Sequence, residues 1–439
     1  MSGLCTDLYE LNMAASYLRR GMTGPATFSL FARHLPPDRG FLVAAGLQEC
    51  LEFLEGFHFD DDELAWLHAE LGFDDQAVAA FAELRFTGEV WAVPEGRVVF
   101  AGEPLLEVTA PIAEAQLVET ALLNSISFHT AVASKAARCR LAAGGAELVD
   151  FAFRRTQGMD AAMAVARASA MVGFSATSNV EAARRFGLRV AGTMAHSFVE
   201  AFGDERSAFA AFARDFPDRT TFLVDTYDTL EGVRAAIEVI RELGLAGGLG
   251  VRLDSGDLGE LAVRTRRLLD EAGLPDARIV ASGGLDEYAI AELVGHGAPI
   301  DIYGVGTKMG VSADAPYLDT AYKLVRYGER PVAKLSPGKP SLPGAKQVFR
   351  GRATDGDLLG LRDEPAPADR EPLLLPVMAA RGRTGTGTRD LDAGRARFDA
   401  DLAWLPEPAR ALRQPRPVQV HLTRPLRDLR DQVHASLLR

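Results

Sequence analysis

Between residues 147 and 307 the chain repeats one arrangement: a short apolar run, an abrupt polar exit, then a stretch with helical spacing. The runs are "ELVDFAF", "RVAGT", "TFLVDT", "GLGVRLDSG", "RIVASGG" and "IDIYGVGT", spaced at roughly 20 to 40 residues, as repeating βα units are. They stay apolar instead of alternating, which marks strands covered on both faces in a parallel sheet. Six such units are fewer than the eight of a standard barrel, although degenerate strands escape a reading of this kind.

Polar residues gather at one end of these runs. They are Asp150, Arg154 and Arg155; Thr193 and His196; Asp225 and Asp228; Arg252, Asp254 and Asp257; Ser282, Gly283 and Gly284; and Gly304, Gly306 and Thr307. Each group follows its run, so all lie on the carboxyl-terminal face of the sheet, where parallel α/β barrels place their chemistry.

The flanking zones read differently. Up to about residue 120, "LYELNMAASYL" and "FLVAAGLQECLEFLEGF" carry apolar residues at helical spacing. "GEVWAVPEGRVVFAGEPLLEVTAP" reads as strands broken by turns, and "EAQLVETALLNSISFHTAVASKAARCRLAAGG" as one helix ending at a glycine pair. From about residue 326, "KLSPGKPSLPGAKQVFR" is rich in Pro, Gly and Lys, "RGRTGTGTRDLDAGRAR" reads as an exposed loop, and the tail "PVQVHLTRPLRDLRDQVHASLL" ends as an amphipathic helix. The expected division is an N-terminal α/β domain over 1–124, a domain over 125–325 carrying the site, and a C-terminal segment over 326–439 packing back on the first.

Composition narrows the function. A net charge of -12 argues against a non-specific nucleic-acid binder, which needs a basic face, but not against a small phosphorylated ligand held by local arginines. No apolar run reaches the roughly 18 residues of a membrane span, and the first residues lack the pattern of a secretory signal. The three cysteines form no CxxC pair, so neither a disulfide framework nor a cysteine zinc site is suggested, and a cytoplasmic location is expected.

Particular exits carry chemistry. In "VRLDSGDL", Arg252 offers a guanidinium fork for phosphate and Asp254 a carboxylate for a ribose diol; an equally weighted reading makes Ser255 or Asp257 a helix cap beside a surface arginine. "ASGGLDE" and "YGVGTKMG", with Ser282, Gly283, Gly306 and Thr307, leave backbone N–H groups for a phosphate, aided by the following helix starts. Arg154 and Arg155 suit a polyanion such as pyrophosphate. Asp225 and Asp228 fit a hydrated Mg²⁺ or a helix cap and its partner. On pattern alone Tyr9 is a core or helix-start aromatic. His196 fits a buried hydrogen-bonded histidine, a metal ligand lacking companions in sequence, or a nucleophile or proton carrier.

"TDLYELNMAASYL", "FTGEVWAVPEG", "ATSNVEAARRFGLRVAGTMAHSFVEAF", "LVDTYDTLEGV", "GVRLDSGDL", "GVGTKMGVSADAP" and "GKPSLPGAKQV", in this order between residue 6 and about 350, resemble nicotinate phosphoribosyltransferases. The resemblance implies an α/β fold of the type II phosphoribosyltransferases: an irregular (β/α) barrel with a second α/β domain built from N- and C-terminal segments. It implies transfer of phosphoribose from 5-phosphoribosyl-1-pyrophosphate to nicotinate in NAD biosynthesis, coupled to ATP through a phosphohistidine and assisted by Mg²⁺, in a homodimer. Carried over by position, His196 is the phosphohistidine, Thr193 a nicotinate contact, and Tyr9 the aromatic stacking on the pyridine, in this or the partner subunit. Arg252 lies beside base and ribose, Asp254 binds ribose, and Arg154 binds pyrophosphate or the pyridine side. Gly283, Gly306 and Thr307 belong to the 5'-phosphate and substrate loops. One departure is Ala152, where the family has glycine after Asp-Phe; its Cβ is expected to narrow the backbone's approach to ligand. The alternatives are a phosphoribosyltransferase for nicotinamide or quinolinate, or a non-catalytic sensor of a phosphorylated ligand.

Overall fold

The computed structural model describes residues 2–336, 341–379, 382–387 and 390–438. It divides into two compact units, Met1–Ala131 with Tyr317–Arg439, and Val132–Pro316. The first boundary falls inside the helix Glu119–Ala142. The second precedes the strand Thr320–Tyr327, which the expected cut at 325/326 would split; its full length pairs antiparallel with Pro25–Ala32, so it belongs with the N-terminal segment.

In the two-segment unit, a seven-stranded sheet interleaves both chain ends, in the order Arg330–Pro331, Thr320–Tyr327, Pro25–Ala32, Pro104–Pro111, Glu89–Ala92, Leu375–Ala379, Gly382–Arg383. Its neighbours are antiparallel, and its inward residues build a core in which the Phe28 and Tyr322 rings stack with centroids 4.7 Å apart. The expected single long helix is two, Ile112–Leu117 and Glu119–Ala142, and the segment around residue 42 gives a short strand, Leu42–Val43, before the helix Leu47–Glu55. The tail forms the helix Arg424–Leu437, capped by Thr423.

The exposed loop expected over "RGRTGTGTRDLDAGRAR" is overturned for most of its length. Residues 381, 388 and 389 lie outside the described residues, but Leu391–Trp404 is a helix with Phe398 and Asp401 buried. Polar anchors hold it: Arg397 Nε donates to the Glu95 carbonyl at 2.8 Å, and Asp401 accepts from Val98 N at 2.7 Å and from Arg350 Nη1 at 3.0 Å. The 338–340 part of "GKPSLPGAKQV" also lies outside the described residues.

The second unit contains a six-stranded parallel sheet. In chain order its strands are Glu147–Asp150, Ala176–Thr177, Thr221–Leu223, Gly250–Leu253, Arg278–Ala281 and Ile302–Val305. Across the sheet they lie second, first, sixth, fifth, fourth, third. With helices between them, the strands of this unit form a curled parallel half-barrel; the other unit, made from both chain ends, is itself α/β. One strand was misplaced by pattern. "RVAGT" contributes only a single parallel bridge, Val190 to Thr177, while the two-residue strand Ala176–Thr177 takes the sheet position. A lone bridge at the sheet's edge leaves Gly192 and Thr193 free of the ladder, so they turn toward the strand exits.

Candidate functional site

The strand exits open onto a cavity of about 340 Å³. Its lining includes Phe151, Phe153, Arg154, Ser178, the run Gly192–His196, Leu223, Arg252 and Asp254. Thus Arg154, Thr193, His196, Arg252 and Asp254, from three exits, share one wall. Phe151, Phe153, Leu223 and Ser178 were not singled out in the sequence. The first three lay inside apolar runs, and a lone serine carries no pattern.

Arg252 organises the floor. Its Nε donates to Ser282 Oγ at 2.8 Å, Nη1 to Thr193 Oγ1 at 3.0 Å and Nη2 to Asp254 Oδ1 at 2.6 Å. The Ser282 hydroxyl donates in turn to Asp254 Oδ1, and the guanidinium carbon lies 5.4 Å from the centre of the Phe151 ring. Arg252 is therefore not the surface arginine of the bland reading, since its side chain is 12% exposed. Burial opposes ionisation of Asp254, yet the hydrogen bonds from Ser282 and Arg252 and the Arg252 charge outweigh it, so its carboxyl titrates below the usual range. Arg154, by contrast, is exposed at the cavity's edge and has no hydrogen bond or ion pair among the described residues. An unpaired guanidinium there is available to an anion.

His196 opens the helix His196–Phe202, and its Nδ1 lies 3.2 Å from Thr226 Oγ1. Thr226 escaped the sequence reading, being one polar residue in a loop between two aspartates. The two aspartates separate. Asp228 caps the helix Thr229–Leu243, accepting from Leu230 N and Glu231 N. Asp225 Oδ2 accepts from Asp254 N at 3.2 Å and Ser255 Oγ at 2.5 Å, while its Oδ1 is buried without a partner.

Side-chain caps follow most exits. Asn179, Asp228, Asp257 and Asp286 cap the helices after the second to fifth strands, so the cap reading of Asp257 is the one observed. Asp286 accepts from Tyr288 N and Ala289 N, which removes those N–H groups from the expected phosphate loop after "ASGG". The helices that begin at Met159, His196 and Thr307 have no side-chain cap. The last spans only Thr307–Gly310, so its dipole adds less than the sequence suggested.

Gly283, Gly306 and Thr307 do not line the cavity; Gly283 packs against Asp254 and Gly306 against Phe151, both of which do. Gly283 has φ +91° and a Cβ there would lie 2.0 Å from the Asp254 carbonyl oxygen; one on Gly306 would lie 3.0 Å from that of Phe151. Gly283→Ala is expected to cost about 3 kcal/mol or more, through a positive φ and a backbone clash, and to displace Asp254. The urea midpoint and the activity should fall together; an unchanged midpoint contradicts this packing.

Asp150 is buried with both oxygens occupied, accepting from Thr177 Oγ1 at 2.7 Å and Ala152 N at 2.8 Å. It brackets the turn Phe153–Arg155 and faces no ligand space. Tyr9 lies in the other unit, second in the helix Leu8–Arg19 and 47% exposed, so it is a helix-start aromatic and not a core one. Burial of its hydroxyl end and the carboxylates of Glu119, Glu10 and Asp7 push its phenol above the ordinary range.

Comparison with known proteins decides the family. Residues 4–127 match the nicotinate phosphoribosyltransferase N-terminal domain, and residues 146–336 the nicotinate phosphoribosyltransferase family. A nicotinate phosphoribosyltransferase of Mycobacterium tuberculosis is 49% identical over 94% of this chain and 89% of its own length. The chain belongs to the nicotinate phosphoribosyltransferase family. A Bacillus subtilis member is 45% identical over 82% of this chain and 76% of its own length. The crystal structure of human nicotinic acid phosphoribosyltransferase aligns with a TM-score of 0.86 at 31% identity, covering 98% of this chain and 99% of the human one.

Within that family frame, the Ala152 departure has a local explanation. Ala152 is buried, does not line the cavity, and keeps an ordinary helical conformation, φ -84° and ψ -22°. Its methyl faces Gly310, where an added Cβ would lie 2.8 Å away. The expected narrowing toward ligand is therefore overturned: the extra carbon fills space beside a second glycine.

Proposed function

We propose that this chain transfers phosphoribose from 5-phosphoribosyl-1-pyrophosphate to nicotinate, giving nicotinate mononucleotide and pyrophosphate, and couples the transfer to ATP through His196. The observation that carries the reading is the single cavity joining Arg154, Thr193, His196, Arg252 and Asp254 in a member of the nicotinate phosphoribosyltransferase family.

The pyridine nitrogen carries a free lone pair and attacks the anomeric carbon as the bond to pyrophosphate breaks. No strong base is required, and none of the cavity residues is assigned that task. Catalysis comes from alignment and from charge placed where the leaving group becomes negative. Arg154, unpaired at the cavity edge, receives the anion. Arg252 and Thr193, locked together, present donors to the nicotinate side and the sugar. Asp254, kept ionised by Arg252 and Ser282, accepts from the ribose hydroxyls. Gly283, Gly306 and Thr307 shape the end that takes the 5'-phosphate. Tyr9 is the stacking aromatic, supplied within a homodimer.

Mg²⁺ would neutralise charge on the pyrophosphate. Among the described residues no three His, Cys, Asp or Glu side chains form a metal cage. Asp225, whose Oδ1 has no partner, is the carboxylate we assign to it.

His196 has a separate task. As a neutral imidazole it accepts a phosphoryl group from ATP, and hydrolysis of that phosphohistidine draws the transfer forward.

Turnover with labelled nicotinate, 5-phosphoribosyl-1-pyrophosphate and Mg²⁺, with and without ATP, tests the reading. Nicotinate mononucleotide is expected in both arms and more of it with ATP. Equal activity on nicotinamide or quinolinate, or no product at all, overturns it in favour of the related transferases or a sensor.

A further inference from the structure

The strands Arg278–Ala281 and Ile302–Val305 are neighbours, and their ladder pairs Val280 with Ile302 and Ala281 with Tyr303. It ends before either glycine-rich exit. Past that point the two exits are joined by side chains that stand just behind the glycines. Asp286 caps its helix through Oδ1, and its Oδ2 accepts from Lys308 Nζ at 2.8 Å, a bond from one exit to the other. Burial opposes ionisation of Asp286, yet Lys308 and the helix N–H groups outweigh it and hold its carboxyl below the usual range. The tie is therefore between charges.

A second tie is buried. Lys135, on the helix Glu119–Ala142, has a side chain 2% exposed. Its Nζ lies 2.5 Å from Glu287 Oε2 and 3.0 Å from Asp314 Oδ1. Glu287 follows Asp286, and its other oxygen accepts from Arg138 Nε at 2.9 Å. Asp314 follows the helix Thr307–Gly310. Between that helix and Asp314, Ser312 holds φ +45°, a left-handed conformation that is strained for a residue with a side chain, and its hydroxyl donates to the Ala315 carbonyl at 2.7 Å. Desolvation offsets much of the attraction in a buried ion pair, so what this arrangement supplies is geometry more than stability. One lysine holds the segments behind both exits.

We propose that Lys308 and Lys135 are positioning residues: by tying Asp286 to the helix Thr307–Gly310, and Glu287 to Asp314, they fix the spacing of the two glycine-rich exits and so set the affinity for the 5'-phosphate end of 5-phosphoribosyl-1-pyrophosphate. This rests on the phosphoribosyl-transfer reading above. Lys308 acts through Asp286 and not as a ligand of the phosphate, because its cationic head is committed to a carboxylate that is itself fixed to a helix start. The pyrophosphate end is separate, since Arg154 belongs to a different exit.

Initial rates on the full-length enzyme give KM for 5-phosphoribosyl-1-pyrophosphate and for nicotinate. Competition gives Ki for ribose 5-phosphate and for inorganic pyrophosphate, and Tm is measured alongside. Asp286→Asn keeps an oxygen for the helix cap but loses the charge facing Lys308. Lys308→Met cuts the same tie from the other side, at a side chain 46% exposed, where folding is not at stake. Each is expected to raise KM for 5-phosphoribosyl-1-pyrophosphate and Ki for ribose 5-phosphate about five- to tenfold, with KM for nicotinate and Ki for pyrophosphate within about twofold of the parent. The double variant matches the weaker single, because both cut one tie. Lys308→Arg, which still brings a cation to Asp286, restores most of the affinity. Asp314→Asn cuts the buried tie without removing the lysine and gives the same selective shift. Ki for ribose 5-phosphate unmoved in both Asp286→Asn and Lys308→Met, or raised in step with that for pyrophosphate, overturns the role of Lys308. Tighter ribose 5-phosphate in Asp286→Asn overturns it too, since the released lysine is then the ligand. Asp314→Asn with the parent's constants overturns the part given to Lys135. A parent that makes nicotinate mononucleotide but is not inhibited by ribose 5-phosphate overturns the placing of the 5'-phosphate at these exits. One that makes no product overturns the phosphoribosyl-transfer reading itself.

Discussion

Arg252→Lys is expected to lower kcat/KM for nicotinate mononucleotide synthesis by about 10²- to 10³-fold, on the scale of losing a preorganised donor at a reacting centre. A lysine ammonium is a single point charge. It cannot reproduce three N–H groups aimed at Ser282, Thr193 and Asp254 in one plane, nor lie against the Phe151 ring as the guanidinium does. Thr193 then loses the donor that sets its hydroxyl, and Asp254 loses the partner that keeps it charged. Acid sensitivity follows from the same contacts. Asp254 is depressed in the folded state, so its contribution to stability is present above its unfolded pKa and is lost as pH falls through the lower folded value. In Arg252→Lys the folded value rises and that loss begins at higher pH. Initial rates together with Tm measured from neutral to acidic pH check both statements. A change below about fivefold in kcat/KM would place the arginine in a merely structural role.

The second large effect separates the two activities proposed for the parent. His196→Ala is expected to abolish ATP hydrolysis coupled to transfer, while ATP-free synthesis stays within about threefold of the parent's ATP-free rate. The separation follows from the wall's construction. His196 has its hydrogen bond to Thr226, whereas the donors assigned to sugar and base are fixed by Arg252 and Ser282. Parallel assays of ATP consumption and nicotinate mononucleotide decide it. ATP hydrolysis that continues in step with product would remove His196 from the energetic link. Equal loss of both rates would make it part of the glycosyl-transfer machinery.

Much of the site was legible because buried parallel strands leave an unmistakable record. An uninterrupted apolar run that stops at a charged residue marks both a strand and its carboxyl end, and it puts Arg252, Asp254 and Ser282 at the same end of the sheet. Exits also announced their glycines, and Gly283 is needed for its close approach to Asp254. Legibility failed where contacts replace pattern. Ala176–Thr177 is two residues long and has no periodicity to detect, while "RVAGT" is apolar enough for a strand yet forms one bridge at the sheet's edge. The helix Leu391–Trp404 is fixed through Arg397 and Asp401, polar residues whose partners lie some 300 positions away. Thr226 meets His196 through one hydroxyl, which no spacing rule reveals. The choice between cap and ligand for Asp225 and Asp228 could be made only from the direction each side chain takes.

Ala152 and Gly310 bring one further consequence. The two positions share room for a single methyl group, and this chain has spent it on the residue that begins the Arg154 turn. Glycine at 152 would relieve one of the two contacts that crowd position 310, the Thr156 hydroxyl at 2.7 Å being the other, whereas alanine at both would push the turn outward and move the Arg154 guanidinium with it. A substitution more than 150 residues away in sequence, touching no ligand, would in this way reset where the site meets its most highly charged substrate.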